Sequence, residues 1–169
     1  MRILIVSDSH GLTGELTEIK KHSTGIDKLI HCGDSELISD HPGLEGFTAV
    51  RGNCDFDNTF PEEHVEDIGG HRVFITHGHR YSVKSTLLNL SYRAKELGAR
   101  IVCFGHSHYL GAEMIDGILF INPGSIRKPR GRKERTYVII DIEKDEINLS
   151  VYDLKLGEIS ELSQKFLLT

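Results

Sequence analysis

This chain of 169 residues lacks most of the features that would point away from an ordinary globular domain. No apolar run approaches the roughly 20 residues that a membrane-spanning helix needs. The opening Ile3–Val6 run breaks at Ser7-Asp8, too soon for the apolar core of a secretory signal. Excess positive charge is missing too. The formal net charge is −5, so the whole chain is no electrostatic magnet for nucleic acid or an anionic membrane. Cysteines number three, Cys32, Cys54 and Cys103, isolated and odd in count. They form neither a disulfide framework nor a CxxC zinc pair, and they point to a reducing cytoplasm. There is no internal repeat, no long linker and no aromatic ladder of the kind that grips single-stranded nucleic acid. What remains is an ordinary composition, 38% hydrophobic and 27% charged. One domain over residues 1–169 is expected, large enough to bury roughly two-thirds of its unfolded surface.

Short apolar segments alternate with turn residues along the chain. Residues 2–6, 27–32 and 47–51 read as strands. Glu63–Ile68 and Arg72–Thr76, split by Gly69-Gly70, read as a hairpin. Leu12, Leu16 and Ile19 have helical spacing. Ser82 is placed to cap a helix running to Leu97, with Leu87, Leu90, Ala94 and Leu97 on one face and Gly98 as its stop. Runs at 101–105, 109–115, 118–122, 136–142, 146–153 and 158–163 predict a strand-rich second half. Two packed sheets with helices outside satisfy both halves, an α/β (α+β) architecture.

Five blocks of metal-binding residue types punctuate this pattern: Asp8-Ser9-His10, Gly33-Asp34, Gly52-Asn53-Cys54-Asp55, Thr76-His77-Gly78-His79 and Gly105-His106-Ser107-His108. Each follows an apolar run, so ligands remote in sequence can converge at strand ends. Asp8 and His10 are two apart, which puts both side chains on one side at a strand end, and the same holds for His106 and His108. Asp34 offers two oxygens and can bridge two cations. Asn53 offers a neutral carbonyl oxygen and His77 an imidazole nitrogen. Such donors suit Mn²⁺, iron or Zn²⁺. Glycines at 11, 33, 52, 78 and 105 are expected to let the backbone turn sharply around the cluster. Singly, each block has a plain alternative: a turn or cap for Asp34, a left-handed turn residue for Asn53, a solvated loop for the histidines. Those alternatives would have to coincide five times, whereas a two-metal hydrolytic centre accounts for all five at once.

In this order the blocks resemble the calcineurin-like metallophosphoesterases: DxH, GD, GNH(D/E), a GH block and GHxH, spread here over residues 8–108. The small size, the GNCD form and the Asn122–Ser125 NPGS stretch are similar to the YfcE/MJ0936-like phosphodiesterases. The resemblance implies a four-layer fold, two facing mixed β-sheets flanked by helices, with metals at the strand ends. It implies two divalent ions, Mn²⁺ first, with iron, Zn²⁺ or Ni²⁺ as alternatives. It assigns one ion to Asp8, His10, Asp34 and His108 and the other to Asp34, Asn53, His77 and His106, with Asp34 as the bridge. The implied reaction is hydrolysis of a small phosphoester, most simply a diester, by a metal-bridging hydroxide between cations roughly 3.5–4 Å apart. A homodimer is also compatible with the resemblance.

Cys54 departs from the family pattern, where a histidine is thought to assist the phosphate or the leaving group. The plainer reading of Cys54 is a small buried spacer. Asp55 and His79 are the other candidates for the leaving-group role, with loop anchoring the plainer reading of Asp55 and pocket lining that of His79. His31 reads as a satisfied core histidine, and His22, His41, His64 and His71 as surface residues. Ser125 and Arg127 could approach the site. The basic run 127–135 reads as an exposed loop before a binding surface. Two other functions share the fold, a non-catalytic interaction scaffold and a small nuclease. A scaffold would be expected to lose ligand residues, and 169 residues leave little room for gripping DNA.

Overall fold

The computed structural model describes residues 1–168 and sets two mixed β-sheets face to face. In chain order the first half runs β1 (Arg2–Val6), α1 (Gly14–His22), β2 (Lys28–His31), β3 (Phe47–Ala49), β4 (Glu63–Ile68), β5 (His71–Thr76) and α2 (Leu88–Glu96). The second half runs β6 (Ile101–Cys103), β7 (Leu110–Ile115), β8 (Ile118–Pro123), β9 (Thr136–Glu143), β10 (Glu146–Asp153), β11 (Gly157–Glu158) and β12 (Gln164–Leu167). One sheet has the order β11-β10-β9-β1-β2-β3, with β12 also paired to β10; the other has the order β4-β5-β6-β8-β7.

Residue alternation explains the layering. In β1, Ile3 and Ile5 join Val73 and Ile75 of β5, Ile101 of β6 and Val138 and Ile140 of β9 in a core between the sheets. Leu4 and Val6 point the other way, onto Leu16 and Ile19 of α1. Phe74 of β5 likewise turns outward, onto Leu90 and Ala94 of α2. A period of two thus feeds two cores from one strand, and strands buried on both faces read as continuous apolar runs. The result is helix, sheet, sheet, helix.

β1, β2 and β3 are mutually parallel, as are β5, β6 and β8. Parallel strands share the side on which their carboxyl ends emerge, and that is where open α/β sheets place ligands. The five blocks follow β1, β2, β3, β5 and β6, so they emerge on a common rim.

Four expectations need correction. The second helix begins at Leu88, not after Ser82, because Ser82 is left-handed (φ 55°) at the end of a 3-10 turn over His79–Tyr81. The Thr86 hydroxyl accepts the Leu88 N–H at 3.2 Å, so Thr86 tends the helix start. The run at 158–163 is not one strand: a 3-10 turn at Ser160–Leu162 separates β11 from β12. His71 is not a surface residue, since its ring is mostly covered and Nε2 donates to the Lys144 carbonyl at 2.6 Å. Cys54 is exposed rather than a buried spacer.

His31 closes β2 and is fully buried. Its Nδ1 accepts from the Gly33 N–H at 3.1 Å, so the ring proton sits on Nε2 and goes to the Ser9 hydroxyl at 2.8 Å. A neutral ring therefore ties the loops after β1 and β2 together. Burial pushes its pKa down to about 4, against the pull of the Asp55 and Asp8 carboxylates. A folded pKa below the unfolded value means that the unfolded chain takes up the proton first. The stability that His31 contributes is therefore complete above about pH 6.5 and is lost as pH falls toward 4. The loss is at most about 1.4 kcal/mol per pH unit in that window. Metal-free protein should lose more of its urea midpoint between pH 7 and pH 5 as wild type than as His31→Gln. Equal losses would show that the ring does not titrate on unfolding.

Candidate metal centre

The loops after β1 and β2 are laced together by backbone: Asp8 N–H donates to the Gly33 carbonyl and His10 N–H to that of Asp34, both at 3.0 Å. Gly105 N–H reaches the His77 carbonyl across the other sheet, also at 3.0 Å. Within this frame Asp8, His10, Asp34, His106 and His108 all adopt positive φ, between 41° and 68°. That region is uncommon for residues with a side chain and collects at functional sites. The glycines divide into two kinds. Gly11, Gly33 and Gly78 turn the chain at positive φ, as expected. Gly52 and Gly105 do not. A Cβ at 52 would lie 2.0 Å from Asp34 Oδ1, and one at 105 would lie 2.0 Å from Ser7 Oγ and 2.6 Å from Asp8 Oδ2. Those two positions leave no room for a side chain: the Asp34 carboxylate lies against Gly52, and the Ser7 hydroxyl and Asp8 carboxylate lie against Gly105.

Asp8 is fully buried. Its Oδ2 accepts from the Ser7 hydroxyl at 2.6 Å and from the His106 N–H at 3.1 Å. Its Oδ1 receives no hydrogen bond among the described residues. Around Oδ1 stand three imidazole Nε2 atoms, of His108 at 3.2 Å and of His10 and His77 at 3.8 Å. The other nitrogen of each ring is already committed. Nδ1 of His77 donates to the Cys32 carbonyl at 2.7 Å, Nδ1 of His108 to the Lys128 carbonyl at 2.8 Å, and Nδ1 of His10 to the Glu36 carboxylate at 2.6 Å. In a neutral ring that leaves Nε2 as a bare lone pair. The Nε2 atoms of His10 and His108 lie only 3.4 Å apart. Lone pairs and carboxylate oxygens thus converge in a buried space, an arrangement that calls for protons or cations.

Asp34 supplies a second carboxylate. Its Oδ2 lies 3.3 Å from His77 Nε2 and 4.0 Å from His10 Nε2, so it faces both rings, while Oδ1 takes the Cys54 N–H at 2.8 Å. Asn53 Oδ1 lies 3.2 Å from His77 Nε2. Ligand atoms of Asp8, His10 and His108 fall within 4.8 Å of one another, and so do those of Asp8, Asp34 and His77. The two groups share Asp8, whereas the resemblance makes Asp34 the bridge. Asp34 Oδ2 faces both groups as well. The His106 ring stands beside this cluster, 5.1 Å from that of His77 between centroids.

The electrostatics report the same demand for positive charge. Burial alone would push the Asp8 carboxyl up, but His108, His77 and Ser7 hold it below its usual value. Asp34 is also held below its usual value, its burial outweighed by His77 and the Cys54 N–H. Burial would depress His77, yet Asp34 and Asp8 raise its proton affinity. Burial and the neighbouring His77 push His106 down to about 4, so its ring is neutral and ready to ligate at ordinary pH.

The three other candidates part ways. Asp55 is buried and fully engaged: it accepts from the backbone N–H groups of Asp34 at 2.8 Å, Glu36 at 2.7 Å and Gly52 at 2.7 Å. It clamps the loop after β2 to the loop after β3. Burial and the carboxylates of Asp34, Glu36 and Asp55 push the Cys54 thiol up to about 11. His79 lies 5.4 Å from the His77 ring and 6.1 Å from that of His106, and its Nδ1 has no partner among the described residues. Ser125 and Arg127 do come to the site. The Ser125 hydroxyl donates to the Asp8 carbonyl at 2.8 Å, and Arg127 Nη1 donates to that of His10 at 2.9 Å.

Residues 1–145 match the family described as the calcineurin-like phosphoesterase superfamily domain. The chain belongs to that family. It is 49% identical over 166 residues to the probable metallophosphoesterase YsnB of Bacillus subtilis, covering 98% of each chain. It is 30% identical over 147 residues to the phosphodiesterase MJ0936 of Methanocaldococcus jannaschii, covering 73% of this chain and 83% of that one. A structure from Streptococcus pneumoniae, described as a predicted phosphoesterase, superposes with a TM-score of 0.92 at 34% identity, over 98% of this chain and 97% of that one. Vps29 of Entamoeba histolytica, solved with Zn²⁺, superposes with a TM-score of 0.78 at 19% identity over the whole of both chains, a likeness of fold alone.

In this calcineurin-like phosphoesterase the residue that sequence reasoning missed is Glu36. Its carboxylate holds the His10 ring in the orientation that presents Nε2 to Asp8, and its own backbone is left-handed, with φ 57°. Its place two residues after Asp34 was the available signal. Carboxylate partners of ligating histidines typically matter 10- to 100-fold in metal affinity. Glu36→Ala should therefore weaken Mn²⁺ binding by about tenfold or more, read by competition with a fluorescent chelator. Unchanged affinity would remove Glu36 from the ligand support.

Proposed function

We propose that this phosphoesterase is a phosphodiesterase that works with two divalent ions, Mn²⁺ first among them. The observation that carries the reading is the buried Asp8 Oδ1, without a donor and facing the Nε2 atoms of His10, His77 and His108. We assign Asp8, His10, Asp34 and His108 to one ion and Asp34, Asn53, His77 and His106 to the other. Divalent ions held there supply Lewis acidity and an activated water for attack on phosphorus. The chain's own residues do the rest. Asp55 fixes the spacing of the Asp34 and Asn53 loops. Glu36, Cys32 and Lys128 set which ring nitrogens face inward. His79, whose partly exposed ring stands 5.4 Å from that of His77 and 6.1 Å from that of His106, is the best placed of the three candidates to meet the substrate or its leaving group. Cys54 is a loop residue whose thiol has no chemical duty. The calcineurin-like relatives named metallophosphoesterase or phosphodiesterase support the reaction class.

The scaffold reading has the Vps29 fold likeness in its favour. Against it stand all seven ligand positions, occupied by metal-binding residue types. Three free thiols fit a reducing compartment, and we place the protein in the cytoplasm on that ground.

Protein loaded with Mn²⁺ should carry two ions per chain by metal analysis and hydrolyse bis-p-nitrophenyl phosphate. Asp34→Asn should reduce both stoichiometry and rate. A ratio near one that Asp34→Asn leaves alone would end the two-ion assignment, and two ions without hydrolysis would favour the scaffold. Cys54→Ala should change turnover little. His79→Ala should lose most with basic leaving groups, because general-acid help is typically worth about 10²–10⁴-fold. A loss of equal size across an aryl diester series would rule out leaving-group protonation by His79.

A further inference from the structure

The basic run from Arg127 to Arg135, expected as an exposed loop, is fastened to the metal centre. The Ser125 hydroxyl that binds the Asp8 carbonyl also accepts the backbone N–H groups of Arg127 at 3.1 Å and Lys128 at 2.8 Å. Arg127 holds the His10 carbonyl, His108 Nδ1 holds the Lys128 carbonyl, and Arg130 N–H donates to the His108 carbonyl at 3.0 Å. Gly131 then passes flat against Tyr109: at φ 75°, a Cβ there would come within 2.8 Å of the tyrosine ring. These ties use loop backbone and one guanidinium nitrogen. The side chains of Lys128, Arg130 and Lys133 remain exposed, without a carboxylate partner among the described residues, while Arg132 turns to Glu134 at 3.0 Å.

Five cations, four of them without a carboxylate partner among the described residues, therefore stand within seven residues of a chain whose net charge is −5, and their backbone is anchored to the Asp8–His10 and His106–His108 blocks. Like charges held together in a fixed loop repel, and a bound anion relieves that repulsion. A scissile phosphate answers to the centre itself, which leaves the loop cations for a further anion on the same substrate. We infer that the loop over residues 127–133 is an anion-binding rim that selects phosphodiesters carrying a second phosphate group. The inference rests on the phosphodiesterase reading and narrows its substrate class. The loop is short and lacks a stacking ladder, which favours a small bisphosphorylated ester over a nucleic-acid strand.

The test uses two diesters that differ by one phosphate, thymidine 5′-(p-nitrophenyl phosphate) and the same ester with a 3′-phosphate. With Mn²⁺-loaded protein, kcat/KM should be about tenfold or more higher for the second, as one charge-assisted contact allows. The advantage should lie in KM and shrink as salt is raised. Arg130→Gln combined with Lys133→Gln should bring the ratio of the two kcat/KM values toward one. Lys165→Gln, a charge change on β12, should leave the ratio as it is. Calorimetry with thymidine 3′,5′-bisphosphate against the 5′-monophosphate decides the rim independently of turnover. Equal affinity for the two nucleotides, or a preference that survives the double variant, would overturn the rim and leave the esterase reading standing. Absence of hydrolysis of either ester strikes the esterase reading instead. Oligothymidylates that bind more tightly with each added nucleotide would identify a nucleic-acid grip and also overturn the proposal.

Discussion

Everything at the rim is organised around one buried carboxylate. Asp8 follows β1, which lies between β9 and β2 in its sheet, yet its side chain is also held from the other sheet by the His106 N–H. One oxygen is saturated by Ser7 and His106, which fixes the carboxylate plane, and the other is left without a donor. Leaving a buried carboxylate oxygen unpaired costs on the order of kilocalories per mole in a chain with no cation present. The three imidazoles aimed at it do not lower that cost while their Nε2 atoms are lone pairs. The surrounding structure must impose this geometry, and it does so through backbone carbonyls and Glu36 that lock each ring from behind.

The same point explains the strain. Five ligand residues and Glu36 sit at positive φ, where a residue with a Cβ typically costs about 1–3 kcal/mol. Local preference would relax all six. They persist because the parallel strands β1, β2, β5 and β6 deliver their loops side by side, and the loops then share hydrogen bonds across strand boundaries. Asp55 contributes most visibly, since its carboxylate collects three backbone N–H groups from two loops. A residue of a type suited to leaving-group chemistry is thereby occupied in holding the site open.

Much of this was legible in the sequence because the signals were periodic or punctuated. The short apolar runs Ile3–Val6 in β1 and Val73–Ile75 in β5 announced strands, and the five blocks announced a shared rim. What escaped the sequence was decided by partners that are distant along the chain. Ser82 looks like a helix cap until the 3-10 turn before it forces left-handed backbone. His71 looks solvated until Lys144 arrives from another hairpin. Gly52 and Gly105 look like turn residues, but an aspartate carboxylate lies against each and leaves no room for a side chain. Cys54 could not be placed as exposed from its neighbours alone. Glu36 carries no motif of its own, and only the fold brings it to His10.

The division between a rigid centre and an open rim has a consequence for how the family fold can vary. The ligand rings and carboxylates are tied to strand ends and to one another, so a change there propagates through several loops. The His79 ring and the side chains of Lys128, Arg130 and Lys133 take no part in that lacing among the described residues. Cys54 and His79 sit on fixed backbone, with one exposed thiol and one uncommitted ring nitrogen. In the family pattern that the sequence resembles, a histidine stands where this chain has Cys54. The Cys54 backbone N–H donates to Asp34 Oδ1 at 2.8 Å, and its exposed thiol accepts from the Asn53 amide at 3.5 Å. The candidate metal centre is thus built from buried, mutually constrained groups, and around it lies an exposed fringe, Lys128, Arg130 and Lys133 among it, that the fold holds in place but does not itself use.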